Sequence, residues 1–349
     1  MKKSISKIII FNLIILLSSC QSNQNNENID AFLIKKNQEG NLNGNVLVIK
    51  KGKTLYEKSF GYTDGTKNIK LNKNYRFIIG SIYKEFPAVV IMQLQEKGFI
   101  NLDDKISKHL PELPNWAQKI SVKNLLQYSS GLPVVPWDEY LQNGLRFNNE
   151  LVMKGLKSLK KLKFEPGSNY LYSNNNPILL INIVENITQT SFNEYLKKNV
   201  FVPVGMSSTI IKPEYPFQDK TLMTIPFNSD FKEDKYNLAL NNLLFASTAR
   251  DMANWLKKLG DFEVVNKSSV KTLSKKAKRG NNIQGPLGNC DWDNDNIIEH
   301  AHHGSNFNHE CLVRRFKQDE ITIVILTNQK NGNVNEISDE IYKIVKEDI

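Results

Sequence analysis

Three short patterns in this chain gather residue types that can do acid–base chemistry. Ser81 stands three positions before Lys84, Tyr172 two before Asn174, and His302 two before Gly304. A serine hydroxyl is a useful nucleophile only when a neighbouring base takes its proton. Helical spacing of three puts Lys84 on nearly the same face as Ser81, one turn along. The amine can serve as that base only while neutral. The pattern alone does not decide, because four further Ser-x-x-Lys pairs occur, at Ser4/Lys7, Ser158/Lys161, Ser229/Lys232 and Ser268/Lys271. Ser81, ahead of the apolar run PAVVIMQL, reads equally as a helix N-cap, with Lys84 solvated on the first turn. Tyr172-Ser173-Asn174 is the only Tyr-x-Asn, and His302-His303-Gly304 the only His-x-Gly. Taken singly, these residues could be a half-buried aromatic, a turn former in SNNN and a strand histidine.

A site drawn from such distant positions needs elements that bring them together. NVLVIKK and TLYEKSFGYT are β-rich runs joined by Lys51-Gly52-Lys53, a hairpin signal. Strand signals return in NIIEHAHH, ECLVRRF and EITIVILTN. IDAFLIKK predicts a short helix, a longer one runs from near Ser81 to Lys97-Gly98, and VNEISDEIYKIVKE is amphipathic. Ser247 and Thr248 are candidate caps for a helix over MANWLKKL. Residues about 100 to 245 read as mainly helical and loop-rich. The expected fold is α/β, with one antiparallel sheet from about 40 to 65 and 285 to 330, terminal helices flanking it, and a helical region inserted between. Short turns rather than crossover helices favour the antiparallel pairing.

The chain has 349 residues. It opens with a basic MKKSISK, an apolar IIIFNLIILL and LSSC, which predicts a signal peptide over 1–19. That apolar run is shorter than the roughly 20 residues a membrane span needs. Leu17-Ser18-Ser19-Cys20 looks like a lipobox, with Cys20 the lipidation site; ordinary cleavage near Ser19 is the alternative. Residues 20–29, CQSNQNNENI, read as a flexible tether before a domain over 30–349. The expected location is therefore the cell envelope, held to a membrane by lipid. Gln21 favours the outer membrane if the cell is Gram-negative.

The net charge of +10 falls to +7 once the three lysines of the first nineteen residues are removed. What remains is scattered, as in KSLKKLK and KTLSKKAKR, which read as solvated helix faces. Without an aromatic–basic pattern, nucleic acid is excluded as a partner. No C-x-x-C or His-x-x-x-His spacing suggests a metal, and no cofactor is expected. Export would permit a disulfide between Cys290 and Cys311, although two buried thiols are the better reading.

In their order, Ser-x-x-Lys, Tyr-x-Asn and His-x-Gly resemble the motifs of the class C β-lactamase and penicillin-binding protein superfamily of serine hydrolases. That superfamily includes D-Ala-D-Ala carboxypeptidases, D-aminopeptidases and esterases. The likeness extends over residues about 30 to 345, through GNVLVIKKGKTLYEKSFGYTD, LDDKISKHLPELP, VKNLLQYSSGLP, PGSNYLYSN and FASTARDMANWL. It implies that Ser81 is the nucleophile, Lys84 its base and Tyr172 the shuttle carrying the proton to the leaving group. Asn174 would bind the substrate's acyl-side amide and the lysine, and His302 and Gly304 would line the site. Backbone N–H groups of Ser81 and Ser305 would form an oxyanion hole, a type of donor worth about 3 to 4 kcal/mol each.

Several positions depart from that pattern. His302 stands where many relatives carry a lysine, and a histidine is largely neutral near pH 7. Arg314 or Arg315 could supply a cation instead, only one of them facing the site. Asn175-Asn176-Pro177 replaces the usual x-Gly-Tyr, Asn306-Phe307-Asn308-His309 replaces Pro-Gly-Phe, and Tyr83 fills a normally small position. The expected activity is hydrolysis of an ester or amide in a small molecule or peptide, through an acyl-enzyme, with weak or no β-lactamase activity. The alternative is a non-catalytic lipoprotein that binds a muropeptide or antibiotic.

Overall fold

The computed structural model describes residues 25–142, 145–240 and 242–346. Cys20 and the rest of residues 1–24 lie outside them. The first element, α1, covers residues 25–38. Residues 25–29, expected to be tether, are thus helical. Their polar composition hides an apolar stripe, for Ile29 and Leu33 are one turn apart and fully buried.

Next come β1 (Gly44–Lys50) and β2 (Lys53–Phe60). Lys51 (φ 50°) and Gly52 (φ 74°) between them are both left-handed, as a two-residue type I′ turn requires. A five-residue 3₁₀ turn, Gly80–Lys84, leads directly into α2 (Glu85–Glu96). Further on lie α3 (Asn175–Thr188) and α4 (Ala249–Gly260), the latter capped by the Thr248 side chain. The chain ends in β3 (Asn289–Asp293), β4 (Asn296–Asn306), β5 (His309–Phe316), β6 (Ile321–Thr327) and α5 (Val334–Lys346).

The two ends build one six-stranded sheet in the order β2-β1-β6-β5-β4-β3, with every neighbouring pair antiparallel. The sheet predicted from the sequence is therefore the sheet of the fold. Its two faces bury different helices. Val46, Val48, Ile323 and Ile325 pack under α1 and α5, against Leu33, Ile337 and Ile341. Leu47, Val313, Val324 and Leu326 face the larger core that contains Phe86 of α2 and Trp255 of α4. All seven residues of β6 are buried, which is why its sequence, ITIVILT, is apolar but for Thr322 and Thr327.

The inserted region is less purely helical than expected. Strands Ile210–Lys212 and Leu244–Ser247 join Phe77–Ile78 in a second, three-stranded sheet, and Phe147–Asn148 pairs with Leu238–Ala239. Elements of two to four residues are too short to show a period. Cys290 and Cys311 are free and buried. They sit on β3 and β5 with β4 between them, Cys290 opposite His300 and Cys311 opposite Gly304, so their backbones are well over about 10 Å apart, too far for a disulfide. No helix among the described residues is long and apolar enough to cross a membrane.

Candidate active site

Ser81 is not a helix cap. The N-cap position of its turn is Ile79, and no side chain caps there. In a 3₁₀ helix, residues three apart eclipse one another, so Ser81 and Lys84 stand directly in line. Lys84 Nζ lies 3.0 Å from Ser81 Oγ. The lysine is almost fully buried, its Nζ 4.7 Å from the centre of the Tyr83 ring and 4.9 Å from that of Tyr172. Tyr172 OH approaches the same Ser81 Oγ at 2.9 Å. One hydroxyl thus meets two proton-transfer partners contributed by segments about 90 residues apart. Two of the three other described Ser-x-x-Lys pairs are spent elsewhere, Ser158 Oγ bonding the Gly155 carbonyl and Lys271 pairing with Asp295, and in the third both Ser229 and Lys232 are exposed.

Tyr172 is set by the segment beneath it. Leu171 N–H donates to the Tyr128 carbonyl at 2.9 Å, and the rings of Tyr128 and Tyr172 lie 5.2 Å apart. Asn174 occupies the N-cap position of α3 but makes no cap hydrogen bond there. Its Oδ1 instead accepts from Tyr83 OH at 3.3 Å. A residue that forgoes its usual helix-capping bond is available to the cleft. Burial pushes the Tyr83 hydroxyl far above its ordinary pKa, so it remains a donor and fixes the Asn174 amide. The reshaped Asn175-Asn176 segment is pinned as well: Asn175 Nδ2 donates to the Pro133 carbonyl, and Asn176 Oδ1 accepts from Ser130 Oγ.

Gly304 and Ser305 come from β4, which packs flush on the 3₁₀ turn. A Cβ on Gly304 would stand 2.1 Å from the Ile79 carbonyl oxygen and 3.0 Å from Ser81 N. Gly80, at φ +53°, meets the same contact from the other side, its Cβ position 2.4 Å from Ser305 N. This backbone-to-backbone approach places the N–H groups of Ser81 and Ser305 beside one another at the nucleophile.

His302 lies behind this arrangement rather than on its wall. Strand alternation sends His300 and His302 inward together, where they converge on Glu85, the residue after Lys84. Glu85 is fully buried; its Oε1 accepts from His300 Nε2 at 2.9 Å and His302 Nδ1 at 2.7 Å, and its Oε2 from Trp255 Nε1 at 2.5 Å. Burial would raise the Glu85 pKa, but the charge and hydrogen bonds of His300 and His302 outweigh it and hold the carboxyl below the usual range. Burial in turn lowers the His302 pKa despite the bond to Glu85. The neighbouring His303 faces outward, lines the cleft beside Ser81 and donates from its ring to Glu310 at 3.0 Å. Neither arginine suggested by the sequence reaches the site. Arg314 pairs with Glu299 and Asp339, and Arg315 with Asp261. Lys330 does approach, its Nζ 3.5 Å from Ser305 Oγ.

Glu85, His300, His303 and Tyr128 were not singled out from the sequence. A His-x-His alternation on a predicted strand would have flagged His300 with His302, whereas nothing local marks Glu85 as buried.

Comparison with known proteins agrees with this geometry. A family model described as Beta-lactamase matches residues 29–346. Penicillin-binding protein 4* of Bacillus subtilis (strain 168) is 33% identical over 173 residues, 48% of this chain and 37% of that protein. The match to protein flp of Staphylococcus aureus (strain COL) covers 39% of its length, so the chain spans well under half of these curated relatives. A penicillin-binding protein structure from Bacillus halodurans superposes with a TM-score of 0.77 at 22% identity, covering 89% of this chain and 98% of that one. A D-amino acid amidase from Ochrobactrum anthropi SV3 gives a TM-score of 0.76 at 19% identity, over 93% and 99% of the two chains. At these identities the structural likenesses speak for the fold.

Proposed function

The chain belongs to the beta-lactamase family of serine hydrolases, and from that premise we propose that it hydrolyses an ester or amide bond through an acyl-enzyme on Ser81. The observation that carries this reading is the pair of contacts to one hydroxyl: Lys84 Nζ at 3.0 Å and Tyr172 OH at 2.9 Å. A protein that only bound its ligand would have no use for a buried lysine aimed at a serine.

In the proposed cycle, Ser81 Oγ attacks the carbonyl carbon while its proton passes to neutral Lys84. The carbonyl oxygen, now an anion, is held by the N–H groups of Ser81 and Ser305. Tyr172 hands a proton to the departing oxygen or nitrogen, is reprotonated by Lys84, and the bond to the leaving group breaks. Water then attacks the acyl-enzyme and gives up a proton through the same pair. A carboxylic acid leaves and the Ser81 hydroxyl is restored.

With His302 turned to Glu85, the leaving-group side offers His303, Asn282 and Gln284 instead of a buried cation. That favours neutral esters and amides over β-lactams, whose carboxylate gains most from a fixed positive charge. The likeness to a D-amino acid amidase supports an amide among the substrates. We also propose, from the first twenty residues, that the protein is exported and anchored in the envelope through lipidated Cys20. The test of the chemistry is labelling by a fluorophosphonate probe: Ser81 should carry the adduct, and Ser81→Ala should carry none. A probe bound elsewhere, or undiminished labelling of Ser81→Ala, refutes the assignment. For the anchor, Cys20→Ala should release the protein from membranes and abolish labelled palmitate incorporation; retention of both refutes it.

A further inference from the structure

Two cavities of different character meet at Ser81. One, of about 240 Å³, lies on the Asn174 side and is walled by Trp137, Leu238, Leu240, Leu243, Leu244 and Phe307. The other, of about 300 Å³, contains Tyr172 and is lined by Tyr170, Asn282, Gln284 and His303. Asn174 belongs only to the first and Tyr172 only to the second. Since Tyr172 delivers the proton to the departing atom, the leaving group must occupy the second. The acyl part then falls into the first.

That first cavity combines this apolar wall of one tryptophan, four leucines and Phe307 with the polar groups of Tyr83, Asn174, Ser305 and Asn306 around the nucleophile. Its one charged lining residue is Lys84, already engaged with Ser81. Phe307 is held there under some backbone cost. It sits at φ +52°, where a bulky residue is unusual, in the turn between β4 and β5. The residue stays 41% exposed and its ring stacks on Tyr236, with centroids 3.8 Å apart, and Tyr236 stacks in turn on Tyr215 at 3.9 Å. Both flanking asparagines are tied down: Asn306 Oδ1 accepts from Tyr236 OH at 2.9 Å, and Asn308 N–H donates to Asp234 at 2.9 Å. Strain that the surroundings over-determine, at the lip of a cleft, is characteristic of a working position. The turn departs from its family's pattern at the point where it meets the substrate cavity.

We propose that this cavity is an acyl-binding site for an apolar group, aliphatic or aromatic, of about six to eight carbons, with Phe307 as its specificity-determining wall. The inference rests on the acyl-enzyme reading and adds its substrate class. An apolar cavity of about 150 Å³ suffices for benzene, so this one takes a phenylacetyl or hexanoyl group with little space left over. Each methylene removed from water adds roughly fourfold in kcat/KM while room remains, so hexanoate should exceed acetate by on the order of 10²-fold.

The experiment compares kcat/KM for p-nitrophenyl acetate, butyrate, hexanoate and dodecanoate on wild type, Ser81→Ala, Phe307→Ala and Phe307→Gly. Ser81 labelling rates with short- and long-chain alkyl fluorophosphonates provide a readout independent of turnover. Wild type should rise to hexanoate and fall at dodecanoate, and both Phe307 variants should lower the hexanoate-to-acetate ratio about tenfold. Glycine accepts φ +52° without strain, so Phe307→Gly should keep its melting temperature while losing the preference, which separates specificity from folding. Ser81-dependent turnover with no chain-length preference overturns the acyl site alone, as does a ratio unchanged in Phe307→Gly. Turnover or labelling that survives Ser81→Ala overturns the acyl-enzyme reading and this inference with it.

Discussion

At the scale of single residues, the site is a serine that two other groups address and that a third set supports from behind. Ser81→Ala should abolish ester turnover, and Lys84→Ala and Tyr172→Phe should each lose on the order of 10²-fold or more in kcat, as expected for general acid–base partners. Wild-type kcat in either variant would remove that residue from the proton path. Glu85 acts one step further back. Its carboxylate is the shared acceptor of His300, His302 and Trp255 in a fully buried pocket. Glu85→Gln keeps the shape but removes the charge and one acceptor, so at least one of the three N–H donors of His300, His302 and Trp255 is left unpaired. Charged buried hydrogen bonds of this kind are each worth about 1.5 to 3 kcal/mol. The variant should unfold at lower urea, by about 3 kcal/mol, with an unchanged m-value. An unaltered midpoint would show that the network contributes nothing net to stability.

Elements explain why these residues meet. The 3₁₀ turn at Gly80–Lys84 aligns Ser81 with Lys84, and β4 approaches it so closely that Gly304 can have no side chain. Gly304→Ala would drive β4 off the Ile79 carbonyl and pull the Ser305 N–H away from the nucleophile. Loss of one such donor is worth 10²- to 10³-fold in kcat. The expected result is that loss, together with a lowered melting temperature and fluorophosphonate labelling slowed to match. Retained kcat would mean that Ser305 N–H is not an oxyanion donor. Much of this was legible in advance, but unevenly. The sheet and its terminal helices followed from strong periodicity in long elements, and the three motifs followed from their order along the chain. Hidden were features that depend on what faces what: that His302 points at Glu85, that Asn174 is held by Tyr83, and that Arg314 and Arg315 are already paired. The tether hid a helix because its buried positions are few and widely spaced among asparagines.

At the scale of the whole molecule, acid sensitivity resides in buried titratable groups, His302, His309 and Glu85. His302 is buried against Glu85, and burial lowers its pKa. His309, also buried, bonds Thr224 at 2.9 Å, packs edge-on to Phe77, and is pushed down by burial to about 3. His309 therefore stays neutral in the fold at a pH where it would be charged in the unfolded chain, and His302 is shifted in the same direction. Below the ordinary histidine pKa of about 6.5, the unfolded state therefore binds more protons, and stability must fall as pH falls. For His309 the window runs from about 6.5 down to about 3. Glu85, held below the usual carboxylate range, adds a loss of the same sign, beginning only below about 4.5. One such histidine has a limiting slope of about 1.4 kcal/mol per pH unit. Urea unfolding at pH 7.5 and 5.0 should thus differ by about 2 kcal/mol for each histidine that remains neutral throughout. His309→Asn, less stable at neutral pH for loss of packing, should nonetheless show a shallower dependence on pH by that amount. A profile flat from 7.5 to 5.0 in the wild type would show that water or a structural opening lets both imidazoles protonate in place.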